Sequence, residues 1–294
     1  APGFTERDIA YWRTHEFDIV ADKTYFDHAA MSPLPRRVEQ TLCSFHRTRA
    51  ESGGMFSDWW DRAEQVRRQT AELIGAGADE IAFVANVSMG INVVAQGLEW
   101  EPGDNVVITD LEFPSNVYPW LNLERRGVEV RYWKNRGGRF SLSDLEASLD
   151  RRTRIVSVSH VIAGNGYKND IDAISELCRK KEVLFFVDAI QSIGVHELHV
   201  GETPCDFLVG GYYKWLFGPE GLAFLYVNKE RLPELKTAFA GWAGMDDKFN
   251  YTEFKFQPHE SARKFELGNL NYSAIHGAGE ALNMIRELGT DRIR

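Results

Sequence analysis

The stretch Asp206-Phe207-Leu208-Val209-Gly210-Gly211-Tyr212-Tyr213-Lys214-Trp215-Leu216-Phe217-Gly218-Pro219-Glu220-Gly221 reads as an apolar strand running into a glycine-rich turn, with one lysine at the junction. Upstream, Val183-Leu184-Phe185-Phe186-Val187-Asp188 is a second apolar strand that ends on a carboxylate. A lone lysine and a lone aspartate emerging from buried strands suit an enzyme that holds pyridoxal phosphate. The amine condenses with the aldehyde, and the acid keeps the pyridine nitrogen protonated. Taken alone, the pair is equally served by a surface lysine after one strand and a polar residue closing another.

Outward from this pair, apolar runs at 81–84, 105–109, 129–133, 154–160, 183–188, 207–209 and 222–227 alternate with helical patterns. Such alternation predicts an α/β fold, a largely parallel sheet with helices on both faces. Val38, Leu42 and Phe45 space as one helix face, as do Ala63, Val66, Thr70 and Leu73-Ile74. Ser143 and Glu146 have capping-box spacing. Ile171, Ile174, Leu177 and Cys178 share one stripe, which places Cys178 in the core.

Composition narrows the class. With 294 residues, 44% of them hydrophobic and 26% charged, the chain can bury a large core. A net charge of −9 without a Lys/Arg run argues against a nucleic-acid footprint. Cys43, Cys178 and Cys205 lie far apart with no CxxC, which suits neither a disulfide framework nor a zinc site and points to a reducing, cytoplasmic compartment. The first residues lack a signal peptide's apolar core, and no stretch approaches the roughly 18 apolar residues of a membrane span. His196-Glu197-Leu198-His199 has two histidines at i, i+3 but no third ligand nearby, so no metal site is expected.

In such a sheet, ligands bind beyond the carboxyl ends of the strands, where helix N-termini offer unpaired amides. Asn86-Val87-Ser88-Met89-Gly90 follows one strand and opens a helical run, so a phosphate there would meet backbone amides and the Ser88 hydroxyl. A plain helix cap by Asn86 or Ser88 explains the same residues. Glu112-Phe113-Pro114-Ser115-Asn116 follows another strand. Phe113 there either stacks on a planar ring or packs in the core. Gln191, three residues past Asp188, is a candidate donor to a phenolate oxygen or simply a helix-start polar residue. His28 is a turn residue or a substrate contact, and His160 faces either the pocket or the core.

The ordered set Val87-Ser88, Glu112-Phe113, Ser159-His160, Asp188-Ala189-Ile190-Gln191, Lys214 through Gly221, and Phe265-Glu266-Leu267-Gly268-Asn269 resembles the class V aminotransferase superfamily. Within it, the chain is most similar to the branch holding cysteine desulfurases, selenocysteine lyases and isopenicillin N epimerase-like proteins. The likeness runs from about Tyr25 to the end of the chain. Joint order and spacing make it more specific than any single motif.

The resemblance implies fold type I of the pyridoxal phosphate enzymes, with a mixed, mostly parallel seven-stranded sheet flanked by helices and a homodimer whose active sites are shared. Carried over by position, Lys214 is the Schiff-base lysine and proton carrier, and Asp188 pairs with the pyridinium nitrogen. Gln191 bonds the ring oxygen, and Phe113 takes the stacking position. Val87, Ser88 and Tyr213 hold the phosphate, with Asn269 reaching in from the partner subunit. His28 and Asn165 are the candidate substrate contacts. An amino acid is the implied substrate, with C–S lyase or desulfurase-like chemistry favoured over transamination or epimerisation. A non-catalytic cofactor-binding relative is the rival class.

Some positions depart from the family pattern. Relatives commonly carry a hydroxyl where Gly211 stands, an imidazole where Tyr213 stands, and an asparagine where Ala163 stands. The expected organisation is an N-terminal arm (1–24), a large cofactor-binding domain (25–271) and a linking helix (272–294). That helix would lead into a C-terminal small domain that is expected to be truncated here.

Overall fold

The computed structural model describes residues 5–54 and 56–293; residues 1–4 of the predicted arm lie outside them. Seven strands, β1 (Ile81–Val84), β2 (Asn105–Thr109), β3 (Glu129–Trp133), β4 (Thr153–Ser159), β5 (Leu184–Asp188), β6 (Phe207–Gly211) and β7 (Ala223–Val227), make one sheet. Its order is β1-β7-β6-β5-β4-β2-β3. The run from β6 to β3 is parallel, and β7 is antiparallel to both of its neighbours. This is the mixed, mostly parallel α/β sheet expected from the sequence.

The central strands are buried on both faces, which is why they read as continuous apolar runs. Side chains still alternate. Phe185, Val187 and Leu208 pack into one core, whereas Phe186, Phe207 and Val209 pack into the other. The helices are α1 (Glu6–Glu16), α2 (Arg36–Ser52), α3 (Phe56–Ile74), α4 (Val87–Gly97), α5 (Tyr118–Leu121), α6 (Leu142–Ser148), α7 (Ile171–Lys180), α8 (Tyr272–Leu288) and α9 (Thr290–Ile293). Val66 and Ile74 of α3, Ile174 of α7 and Ile275 of α8 fill the first core. Ile91 and Val94 of α4 and Trp120 of α5 fill the second.

Alternation decides where the chemistry can lie. Asp188, two residues beyond Phe186, falls on the α4 face of the sheet, and so do Ser157 and Ser159, in step with Ile155. Edge strand β3 is partly exposed, and its Arg131 is held by Glu129 and Asp150.

Local expectations met mixed outcomes. Cys178 is in the core, as its stripe predicts. The helix expected to be capped at Ser143 instead has Ser141 as its N-cap residue, and the Ser143 hydroxyl bonds Ser141 rather than a helix amide. Among the described residues, no helix is long and apolar enough to cross a membrane.

Candidate active site

Because β1 and β6 are both antiparallel to β7, they point the same way. The N-terminus of α4, the exits of β2, β4 and β5, and the Lys214 turn therefore share one edge of the sheet. Short connections hold each functional group there.

Asp188 ends β5, is 2% exposed, and accepts the Ile190 amide on Oδ1 at 3.0 Å. Burial pushes its pKa up to about 7 against that hydrogen bond; the nearby Glu112 charge adds to the rise and Lys214 opposes it. Lys214 is also buried, three residues past β6. Burial lowers its ammonium below the ordinary lysine value, with Asp188 opposing. The lysine Nζ lies 5.6 Å from the Phe113 ring centroid and 5.9 Å from that of Tyr213. Phe113 is 51% exposed, which rules out the core alternative for this ring.

The lysine turn is tight. Phe217 N donates to Lys214 O and Gly218 N to Tyr212 O, and Phe217 itself sits at φ 56. A non-glycine residue in that region costs on the order of 1–3 kcal/mol and persists only where its surroundings over-determine it. Tyr212 is fully buried against Thr70 at 2.6 Å, whereas Tyr213 is half-buried, its phenol held above the ordinary pKa by burial and by Asp188.

At α4, Asn86 caps the helix by accepting the Met89 amide at 2.9 Å. The Val87 and Ser88 amides stand in the first turn, where a helix offers no intrahelical acceptor. Ser88 Oγ donates to Ser115 Oγ at 2.8 Å, so the two serines close one side of this helix end. At Gly211, a Cβ would meet Ile190 Cδ1 at 3.0 Å, so a larger residue there requires Ile190 to give way.

Gln191 donates from Nε2 to Ala29 O at 2.9 Å and accepts from Trp215 Nε1 at 2.8 Å. His28 stacks on Trp215 with ring centroids 5.5 Å apart, and Ser32 N donates to Tyr213 O at 3.0 Å. The 28–32 turn is thereby fastened to the lysine turn. Asn269 lines a 280 Å³ cavity with Phe83, Met89 and Leu222, beside α4 in its own chain. Asn165 lies apart from these groups in its contacts: it is exposed, donates to Gly138 O and accepts the Tyr167 amide.

Three residues escaped the sequence reading as functional. Glu112 accepts from Ser159 N (2.8 Å), Ser159 Oγ (2.5 Å) and Thr109 Oγ1 (2.9 Å), and burial raises its pKa against these bonds. Ser115 and Trp215 are the others. Glu112 and Trp215 stood inside motifs, yet their partners are too distant in sequence for spacing to reveal. His160 is buried but lines a polar cavity with Lys168, Asp172, Glu197 and Thr203; the His196 ring is 5.9 Å away, and burial lowers its pKa to about 3. Among the described residues, no group of three or more side chains could hold a metal ion.

The donor set suits pyridoxal phosphate. A buried carboxylate with a raised pKa calls for a cationic partner such as a protonated ring nitrogen, an exposed ring beside the lysine offers a face to stack on, and a helix N-terminus offers amides to a phosphate.

Residues 24–294 match the family described as Aminotransferase class-V. A probable cysteine desulfurase of Methanothermobacter thermautotrophicus is 32% identical over 285 residues, covering 95% of this chain and 70% of that protein. An uncharacterized aminotransferase of Bacillus subtilis, YcbU, is 31% identical over 278 residues, covering 95% and 73%. Among solved structures, the apo cysteine desulfurase of Thermococcus onnurineus NA1 superposes with a TM-score of 0.88 at 26% identity, over 99% of this chain and 73% of that one.

Proposed function

The chain belongs to the class-V aminotransferase family, and on that premise we propose that it is a pyridoxal phosphate enzyme that cleaves the C–S bond of cysteine or a related amino acid. The observation that carries the reading is the pairing of buried Asp188 with buried Lys214, whose Nζ lies 5.6 Å from the centroid of the open Phe113 ring. The cysteine desulfurase names of the similar proteins support the choice of substrate.

Pyridoxal phosphate, when bound, supplies an aldehyde carbon for amines and a ring that takes up the electron pair released at Cα. The chain's own residues do the rest. Lys214, its pKa lowered by burial, is more readily the neutral amine that condenses and later carries the Cα proton. Asp188, whose buried carboxyl titrates near 7, would share its proton with the ring nitrogen and keep that nitrogen protonated. The Val87 and Ser88 amides and the Tyr213 phenol would be the donors for the phosphate, and the exposed Phe113 ring would offer a face to the cofactor ring. His28, stacked on Trp215, stands in the turn fastened to the lysine turn and is the candidate substrate contact.

We also read the protein as a cytoplasmic homodimer with shared active sites. Exposed Phe249, Tyr251, Phe254 and Phe256, in the loop between the bridged Met245 and Pro258, support a second copy as their cover. Asn269 is proposed to act in that shared site.

Borohydride reduction followed by peptide mapping tests the cofactor, with a pyridoxyl adduct expected on Lys214. An amino-acid panel read for sulfide, pyruvate and keto acids tests the reaction. Sulfide from cysteine is the expected result. Keto acid from a sulfur-free amino acid without sulfide from cysteine would transfer the chain to transamination, the activity in the name of YcbU.

A further inference from the structure

One side-chain amide joins three separate parts of the site. Gln191, on the turn after Asp188, accepts the Trp215 indole N–H on Oε1 and donates from Nε2 to the Ala29 carbonyl. An indole nitrogen only donates and a backbone carbonyl only accepts. Turning the amide over would set NH₂ against N–H and oxygen against oxygen, so only one orientation satisfies both neighbours. That orientation spends one Nε2 hydrogen on Ala29 and leaves the other as a donor.

Trp215 is itself held on two sides. His28 stacks against its ring with an interplanar angle of 19°. Gly194, at φ +94, packs so closely that a Cβ there would lie 2.4 Å from the Trp215 carbonyl oxygen. The indole N–H is thus presented at a fixed place beside Lys214, on the chain segment that carries it.

We propose that Trp215 is a positioning residue: its indole N–H holds the Gln191 amide in the one orientation that leaves an Nε2 hydrogen to donate to the oxyanion on the ring of bound pyridoxal phosphate. The proposal rests on the reading of this site as a pyridoxal phosphate site with Gln191 beside that oxygen. Loss of the donor makes the oxygen more basic, so the proton it shares with the Lys214-linked nitrogen is held to higher pH. The other titratable groups around the site, Glu112, Asp188, His28 and Tyr213, remain the same in each variant below.

The test is a pH titration of the absorbance of the Lys214-linked chromophore in the purified holoenzyme. It compares the wild type, Gln191→Ala, Trp215→Phe and the double variant. Trp215→Phe keeps an aromatic ring against His28 and lacks the N–H. Its midpoint is expected to rise by about half a pH unit or more, in the same direction as Gln191→Ala. The double variant is expected to go no further than Gln191→Ala alone, because the two residues act as one unit. A wild-type midpoint in Trp215→Phe, with a shift in Gln191→Ala, would overturn the role of Trp215. A wild-type midpoint in Gln191→Ala would overturn the placement of Gln191 at the ring oxygen. Should Trp215→Phe not fold, benzothienylalanine at position 215, which keeps the bicyclic ring and lacks the N–H, makes the same comparison.

Discussion

Arg67 of α3 and Glu266 form an ion pair closed to water, with Nη1 2.5 Å from Oε1 and the two side chains 0% and 1% exposed. The pair also satisfies the β1 edge: Arg67 donates to Ile81 O at 2.9 Å, and Glu266 accepts the Phe83 amide at 2.8 Å. It therefore anchors the segment that leads to Asn269. Removing one partner leaves a buried charge uncompensated, which costs roughly 3–5 kcal/mol. Arg67→Met and Glu266→Leu should each lower the unfolding free energy, read from urea titrations, by that amount, while the double variant recovers much of the loss. Equal stability of the single variants and the wild type would refute the anchoring role.

Lys214→Ala should give no pyridoxyl adduct on borohydride reduction and no turnover. Asp188→Ala should retain cofactor yet lose turnover, because an unprotonated ring no longer takes up the electron pair. Both variants are read by absorbance and by the sulfide assay. Full turnover by either would remove the proposed mechanism.

Phe113 separates binding from stability. Half of its surface is exposed, so Phe113→Ala should change the unfolding free energy by no more than about 0.5 kcal/mol. Stacking is worth about 1 kcal/mol, so cofactor release should speed up roughly fivefold. Stopped-flow exchange against free cofactor measures the release. An unchanged rate combined with a large loss of stability would make Phe113 a packing residue.

What could be read along the chain and what could not divides by distance. The strands were legible because the sheet is buried on both faces, so β5 and β6 are unbroken apolar runs; Asp188 and Lys214 stand out as the polar residues that end them. Arg67 and Glu266 lie 199 residues apart and Gln191 and Ala29 162 apart, and no periodicity marks such partners. The Ser141 N-cap was missed for a different reason: several serines stand near the helix start, and the extended backbone at Ser141, which makes no side-chain cap bond, decides where the helix begins.

The Asp188 carboxyl gives a pH signature in the cofactor-free protein. Its folded pKa is about 7 against 3.8 as the ordinary value, so between these values the folded state binds the extra proton. Stability from this group is full below about pH 4 and is lost as pH rises through about 7. Relative to Asp188→Asn, the unfolding free energy of the apoprotein, read from denaturant titrations, should fall across that window by an amount on the order of a few kcal/mol. Glu112→Gln removes a neighbouring negative charge and should move the descent to lower pH. A difference curve that is flat with pH would show that Asp188 is ionised throughout.

The cysteines provide a test of where sulfur can go. Cys178 and Cys205 are buried and line a cavity with Phe185 and Asp206, near the starts of β5 and β6 and so at the sheet edge opposite Lys214. Burial pushes the Cys178 thiol up to about 12 and raises Cys205 as well, so neither forms the thiolate that attacks sulfur near neutral pH. Cys43 is exposed on α2, and its hydrogen bond to Glu39 raises its pKa. Native alkylation should therefore mark Cys43 alone, more slowly than a free thiol, and reach the other two only on unfolding. Cys43→Ser should keep turnover, with sulfide released to solution or to an added thiol. A persulfide found by mass mapping on Cys178 or Cys205 of the native enzyme after turnover of cysteine would mean that the core opens on the catalytic timescale.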